Sequence, residues 1–116
     1  MNKVRSSYVV THDVAQLVPF YEALLETKLQ FQDGKKWAQF PTDTGRFAIS
    51  SPEEAAAPGL SSVVVFEVAD LADAEANVLK HGGQILSRRD MGSHGITVTF
   101  SDPADNVAQL FFKPKA

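Results

Sequence analysis

The sequence contains no cysteine, which excludes a disulfide framework, a thiolate zinc site, an iron–sulfur cluster and a cysteine nucleophile. No apolar run approaches the roughly 18 to 20 residues needed to cross a bilayer. The polar start Met1-Asn2-Lys3-Val4-Arg5-Ser6-Ser7 leads into only a short apolar stretch, so a cytoplasmic protein without a membrane partner is expected. Positive charge is scarce and scattered. Eleven Lys and Arg stand against fourteen Asp and Glu for a formal charge of -3, and the densest basic clusters are Lys35-Lys36 and Arg88-Arg89. Nucleic acid is therefore not an expected partner, because phosphate binding draws on a concentrated positive field. No glycine-rich phosphate loop is present, since Gly82-Gly83 closes a helical pattern instead of opening one.

What remains is an ordinary globular composition: 116 residues, 44% apolar and 22% charged. A chain of this size supports one domain with one core, burying roughly 60 to 70% of its extended surface. Within it the same pattern occurs twice. Ser6-Ser7-Tyr8-Val9-Val10 is echoed by Ser61-Ser62-Val63-Val64-Val65, each a β-branched apolar run that predicts a strand. Asp13 and Asp70 then stand as N-caps of helical patterns. In the first, Val14, Leu17, Val18, Tyr21, Leu24 and Leu25 share a face, with Pro19 predicting that the regular helix starts only near that residue. In the second, Leu71, Ala74, Val78 and Leu79 share a face, and Lys80-His81-Gly82-Gly83 supplies cations and a glycine stop. Strand-like segments follow each helix, at 29–32, 37–40 and 46–50, and at 84–87, 95–100 and 106–112.

Both halves thus read as βαβββ, giving an α+β domain over residues 1–116, with module one at about 4–50, a Pro/Ala-rich connector at 51–60 and module two at about 61–115. One helix covers one face of each sheet. The two curved sheets are expected to enclose a trough suited to a small molecule.

The residues Val10-Thr11-His12-Asp13, Phe20-Tyr21 and Leu24-Leu25, then Val68-Ala69-Asp70-Leu71 leading to His81-Gly82-Gly83, then Phe100-Ser101-Asp102-Pro103-Ala104-Asp105-Asn106 and Leu110, resemble the vicinal oxygen chelate superfamily. That superfamily includes glyoxalases, extradiol dioxygenases, fosfomycin-resistance enzymes and bleomycin-resistance binding proteins. The resemblance covers nearly the whole chain and departs at Glu26, where the family usually places glycine. It implies a fold of two βαβββ modules around a ligand cleft. It also implies metal-ligand slots at Ser6, Ser61 and Gln109, with Phe47 or Ile49 for the fourth. None is a histidine or carboxylate, so the donors that first-row metals prefer are missing. No metal and no cofactor are expected.

His12, His81 and His94 have ordinary explanations at a helix start, a helix end and a glycine-flanked loop, with His94 the one placed to touch a ligand. Alternation from the matched slots puts Ser6 and Tyr8, Phe47 and Ile49, Ser61, Val63 and Val65, and Gln109 and Phe111 on the trough face, with Trp37 beside them. Glu67, two residues beyond Val65, shares that direction. The rings either stack a planar ligand or fill a core. The function these residues favour is metal-independent sequestration of an aromatic or amphipathic molecule, with the homodimer implied by the resemblance. Two alternatives stand beside it: an enzyme on the same scaffold, with a displaced metal or with Glu67, Tyr8 or His94 as acid–base groups, and a dimeric interaction module.

Overall fold

A computed structural model of the chain describes residues 5–55 and 63–114. The chain divides into two compact units, Met1–Leu60 and Ser61–Ala116. Unit one runs β1 (Ser6–Val10), α1 (Val14–Leu25), β2 (Phe31–Asp33), β3 (Trp37–Thr42) and β4 (Gly45–Ser50). Unit two runs β5 (Val65–Glu67), α2 (Leu71–Lys80), β6 (Gln84–Asp90), a 3-10 turn (Gly92–His94), β7 (Ile96–Ser101) and β8 (Val107–Phe112). The sheets have matching orders, β1-β4-β3-β2 and β5-β8-β7-β6. In each, the first strand crosses over through the helix to pair in parallel with the last, and the other pairs are antiparallel. The fold is the α+β pair of four-stranded mixed sheets expected from the repeat. No helix among the described residues is long and apolar enough to cross a membrane.

Helix α1 begins earlier than its proline predicts. Asp13 accepts from the Gln16 amide at 3.2 Å, and the helix runs from Val14 with Pro19 inside it. The interior proline removes only the bond to the Ala15 carbonyl. Both Ala15 and Pro19 are exposed, so water can satisfy that carbonyl. The opposite face buries Val14, Leu17, Phe20, Tyr21 and Leu24. Helix α2 is capped by Asp70, which accepts from the Asp73 amide at 3.0 Å. It buries Leu71, Ala74 and Val78, whereas Leu79 is exposed. Its exit uses Gly82 at φ +90 with Pro103 packed over it, and the Gly83 amide returns to the Val78 carbonyl at 2.8 Å.

Strand boundaries differ in places from the sequence reading, β2 among them at Phe31–Asp33 in place of 29–32. Of the strand expected over 61–65, Ser61 and Ser62 lie outside the described residues; among the described ones β5 runs Val65–Glu67, and the Gln109 amide reaches the Val64 carbonyl at 3.0 Å. Hydrophobicity marks the apolar run but not the point at which a partner strand arrives. β3 continues through Pro41 to Thr42 because β2 ends short of that point, leaving β3 an edge where a missing amide proton is tolerated. β6 extends to Asp90, with a register shift between Ile85 and Ser87.

The β7–β8 turn is organised by Asp102, which is 2% exposed. Its carboxylate accepts from the amides of Ala104 at 2.8 Å and Asn106 at 3.0 Å and from the Asn106 side chain at 2.9 Å. These bonds hold Asp105 at φ 65. Removing the acceptor would leave three part-buried donors without it. Asp102→Ala is expected to lower the unfolding free energy by about 2–4 kcal/mol in urea titrations. Glu26, after α1, has φ 55 and ψ 44, a left-handed conformation that costs an L-residue about 1 kcal/mol. Glu26→Gly is expected to raise stability by about 0.5–1 kcal/mol in the same assay.

Candidate functional site

Strand pairing fixes which side chains share a face, because paired residues point to the same side of a sheet and neighbours along a strand point to opposite sides. In unit one the register Ser6↔Arg46, Tyr8↔Ala48 and Val10↔Ser50 continues across β3 as Pro41, Gln39 and Trp37. This set occupies the face away from α1. The other set, Ser7 with Phe47 and Phe40, and Val9 with Ile49 and Ala38, faces the helix. Tyr21 of α1 stacks on Phe47 with ring centroids 4.7 Å apart, and Ile49 is fully buried.

Phe47 and Ile49 are therefore corrected from ligand-facing positions to core. The slot inferred from the resemblance was one residue out of phase, and a one-residue slip exchanges the faces of an entire strand. The residues that β4 presents on the helix-free face are Arg46, Ala48 and Ser50. Ser6 and Tyr8 do lie on that face, as does Trp37.

Tyr8 and Trp37 form a tilted pair, centroids 5.6 Å apart, and both are half-buried. The Trp37 indole N–H donates to Gln39 Oε1 at 3.2 Å, and Gln39 Nε2 donates to Gln30 Oε1 at 3.0 Å. An indole can only donate, so it fixes the orientation of both amides in this relay. The geometry offers an aromatic platform beside oriented amides, with Arg46 on the same face of the sheet. Sequence reasoning missed Arg46 and Gln39; their signal was the i, i+2 spacing from Ala48 and Trp37 once the pairing is known.

In unit two, Val65, Gln109 and Thr99 share the face away from α2, followed one step along by Glu67, Phe111 and Thr97. Gln109 Nε2 donates to Thr99 Oγ1 at 3.1 Å. Glu67 is exposed. Phe111 packs over Gly95, where a Cβ would stand 2.8 Å from its ring and 2.7 Å from the Phe112 carbonyl oxygen; only glycine fits there. Val63 is exposed just before β5, and His94 is exposed on the 3-10 turn. Ser61 lies outside the described residues.

The metal slots implied by the resemblance can be tested against their surroundings. Ser6 offers a hydroxyl, but its cross-strand neighbour on the same face is Arg46, whose fixed positive charge opposes a cation there. Gln109 offers one neutral oxygen. Among the described residues no three His, Asp or Glu side chains group so as to hold a metal ion. These donors do not fit a divalent cation.

Residues 7–111 match the model of the glyoxalase-like domain. A glyoxalase/bleomycin resistance protein from Albidiferax ferrireducens aligns over 96% of this chain and 98% of its own, at 19% identity and a TM-score of 0.75. A glyoxalase-related enzyme from Fulvimarina pelagi aligns over 98% and 90%, at 15% identity and a TM-score of 0.79. A mutant of the fosfomycin resistance protein FosX from Listeria monocytogenes, in complex with Mn(II) and 1S,2S-dihydroxypropylphosphonic acid, aligns over 98% and 92%, at 11% identity and a TM-score of 0.78. At these identities the likeness is one of fold. No curated protein matches the sequence.

Placing Phe47 in the core generates a direct test. Phe47→Ala is expected to cost about 3–5 kcal/mol of stability in chemical denaturation, as large-to-small core substitutions do. Gln39→Ala, on the half-exposed face, is expected to cost under about 1 kcal/mol in the same experiment.

Proposed function

The chain belongs to the glyoxalase-like domain family, and on that premise we propose that it is a metal-independent binding protein that holds an aromatic or amphipathic small molecule. The ligand lies on the helix-free face of the first sheet, stacked against Tyr8 and Trp37 and oriented by Gln39 and Ser6. The working form is a cytoplasmic homodimer, in keeping with the resemblance to small single-domain members of the superfamily.

The observation that carries this reading is the make-up of that face. A half-buried ring pair with a satisfied indole N–H presents apolar area at little conformational cost. Beside it, at the position where metal-dependent relatives begin their chelate, a serine stands next to an arginine. The FosX relative was captured with Mn(II); a cation at the Ser6 position here would have only a hydroxyl, with Arg46 as the cross-strand neighbour. Binding, rather than Lewis-acid activation of vicinal oxygens, is what such a surface supports.

Trp37 is the sole tryptophan, so its fluorescence reports on the site without a label. Titration of the metal-stripped protein with a panel of small aromatic compounds is expected to give saturable quenching that neither EDTA nor added Zn²⁺ or Mn²⁺ alters. Tyr8→Leu is expected to weaken binding about fivefold, the order of one ring contact. Near-stoichiometric retention of metal after desalting, together with quenching that occurs only in the metal-loaded protein, would overturn the proposal.

A further inference from the structure

Sheet one ends, where β1 begins and the β3–β4 hairpin turns, in a cleft of about 640 Å³ whose walls include Arg5, Arg46, Gln30, Thr42 and Thr44. That volume is within the range of small-molecule sites. Neither arginine has an ion-pair partner among the described residues, where the ion pair present joins Arg88 to Glu75 in unit two. The carboxylate closest in sequence, Asp43, is exposed in the hairpin turn and does not line the cleft. Two arginines line the one cleft, and an anion bound there would have two cations to pair with.

Pro41 and Gly45 complete the walls, and the polar ones can donate. Thr42 and Thr44 bring hydroxyls. Gln30 spends its carbonyl oxygen on Gln39, and because the indole fixes the direction of that relay, the Gln30 NH₂ group is left to donate. An arginine fork matches the two oxygens of a carboxylate or phosphate. The cleft also lies near the ring platform: Arg46 pairs with Ser6, two residues along β1 from Tyr8, a span of roughly 7 Å at the rise of a strand.

We propose that the Arg5–Arg46 cleft binds the oxyanion end, carboxylate or phosphate, of the same molecule whose ring stacks on Tyr8 and Trp37. This rests on the aromatic-binding reading above and narrows its ligand class to aromatic oxyanions. Four probes test it: 3-phenylpropionate, 3-phenylpropyl phosphate, the neutral 3-phenylpropionamide, and inorganic phosphate alone. Trp37 fluorescence follows the ring, and backbone-amide NMR shifts of Thr42, Thr44, Gly45 and Arg46 follow the anion.

The two organic anions are expected to bind about tenfold more tightly than the amide in wild type, with that preference falling to twofold or less in Arg46→Gln and recovering in part in Arg46→Lys. The tighter of the two anions identifies the oxyanion. Inorganic phosphate is expected to shift the four amides saturably in wild type and not in Arg46→Gln. Arg5→Gln serves as a second variant should Arg46→Gln unfold, as judged by circular dichroism. Equal affinity for amide and anions in wild type, or an anion preference that survives Arg46→Gln, would overturn the proposal. Quenching by the amide without phosphate-induced shifts sinks the cleft and leaves the ring site standing; phosphate shifts without any ring-dependent quenching do the reverse.

Discussion

The two-residue periodicity of the strands is the constraint from which the rest of this molecule follows. Once β1 lies parallel to β4 with Ser6 beside Arg46, every side chain of unit one is assigned to a face. Phe47, Ile49, Phe40 and Val9 go to α1, where Tyr21 and Leu17 close a dry core. Tyr8, Gln39, Trp37 and Arg46 go to the other face. Shifting that register by one residue would bury a guanidinium against the helix and expose the phenylalanines, at a desolvation cost that apolar contacts elsewhere could not offset. Core and candidate site are thus two consequences of one pairing.

The devices that close the helix and strand ends of the two units are local. Aspartates cap both helices, Asp13 and Asp70 each accepting from an amide three residues on. The buried Asp102 gathers three donors into the turn that delivers β8 alongside β7. Gly95 lets the Phe111 ring close over the backbone where any Cβ would collide. Each device sits at a strand or helix end, where unpaired backbone groups must find partners.

The metal-independent reading proposed above rests on electrostatics. Fold likeness at 11–19% identity carries no chemistry with it. The side chains do. An arginine at the side of Ser6 makes a cation unfavourable and an anion favourable at the same spot, and the relay from Trp37 through Gln39 to Gln30 ties the ring surface to the arginine cleft in one hydrogen-bonded line.

The repeat, the helix faces and the Asp102-Pro103 turn were legible from the residues alone, because amphipathic spacing and capping are local properties of a chain. So was the absence of thiol chemistry, and so was the lack of imidazole or carboxylate at the expected ligand slots. Alternation also predicted, correctly, that Ser6, Tyr8 and Trp37 share a direction. It could not supply the phase of β4: Phe47-Ala48-Ile49-Ser50 is apolar enough to be read with either set inward, and only pairing with β1 and β3 resolves it. Arg46, Gln39 and Gln30 acquired meaning by the same route, since they come from separate strands and a loop that meet only in the sheet. Sequence determines periodicity; which periodic set faces the helix is decided by contacts between residues about forty positions apart, and these exist only after the chain has folded.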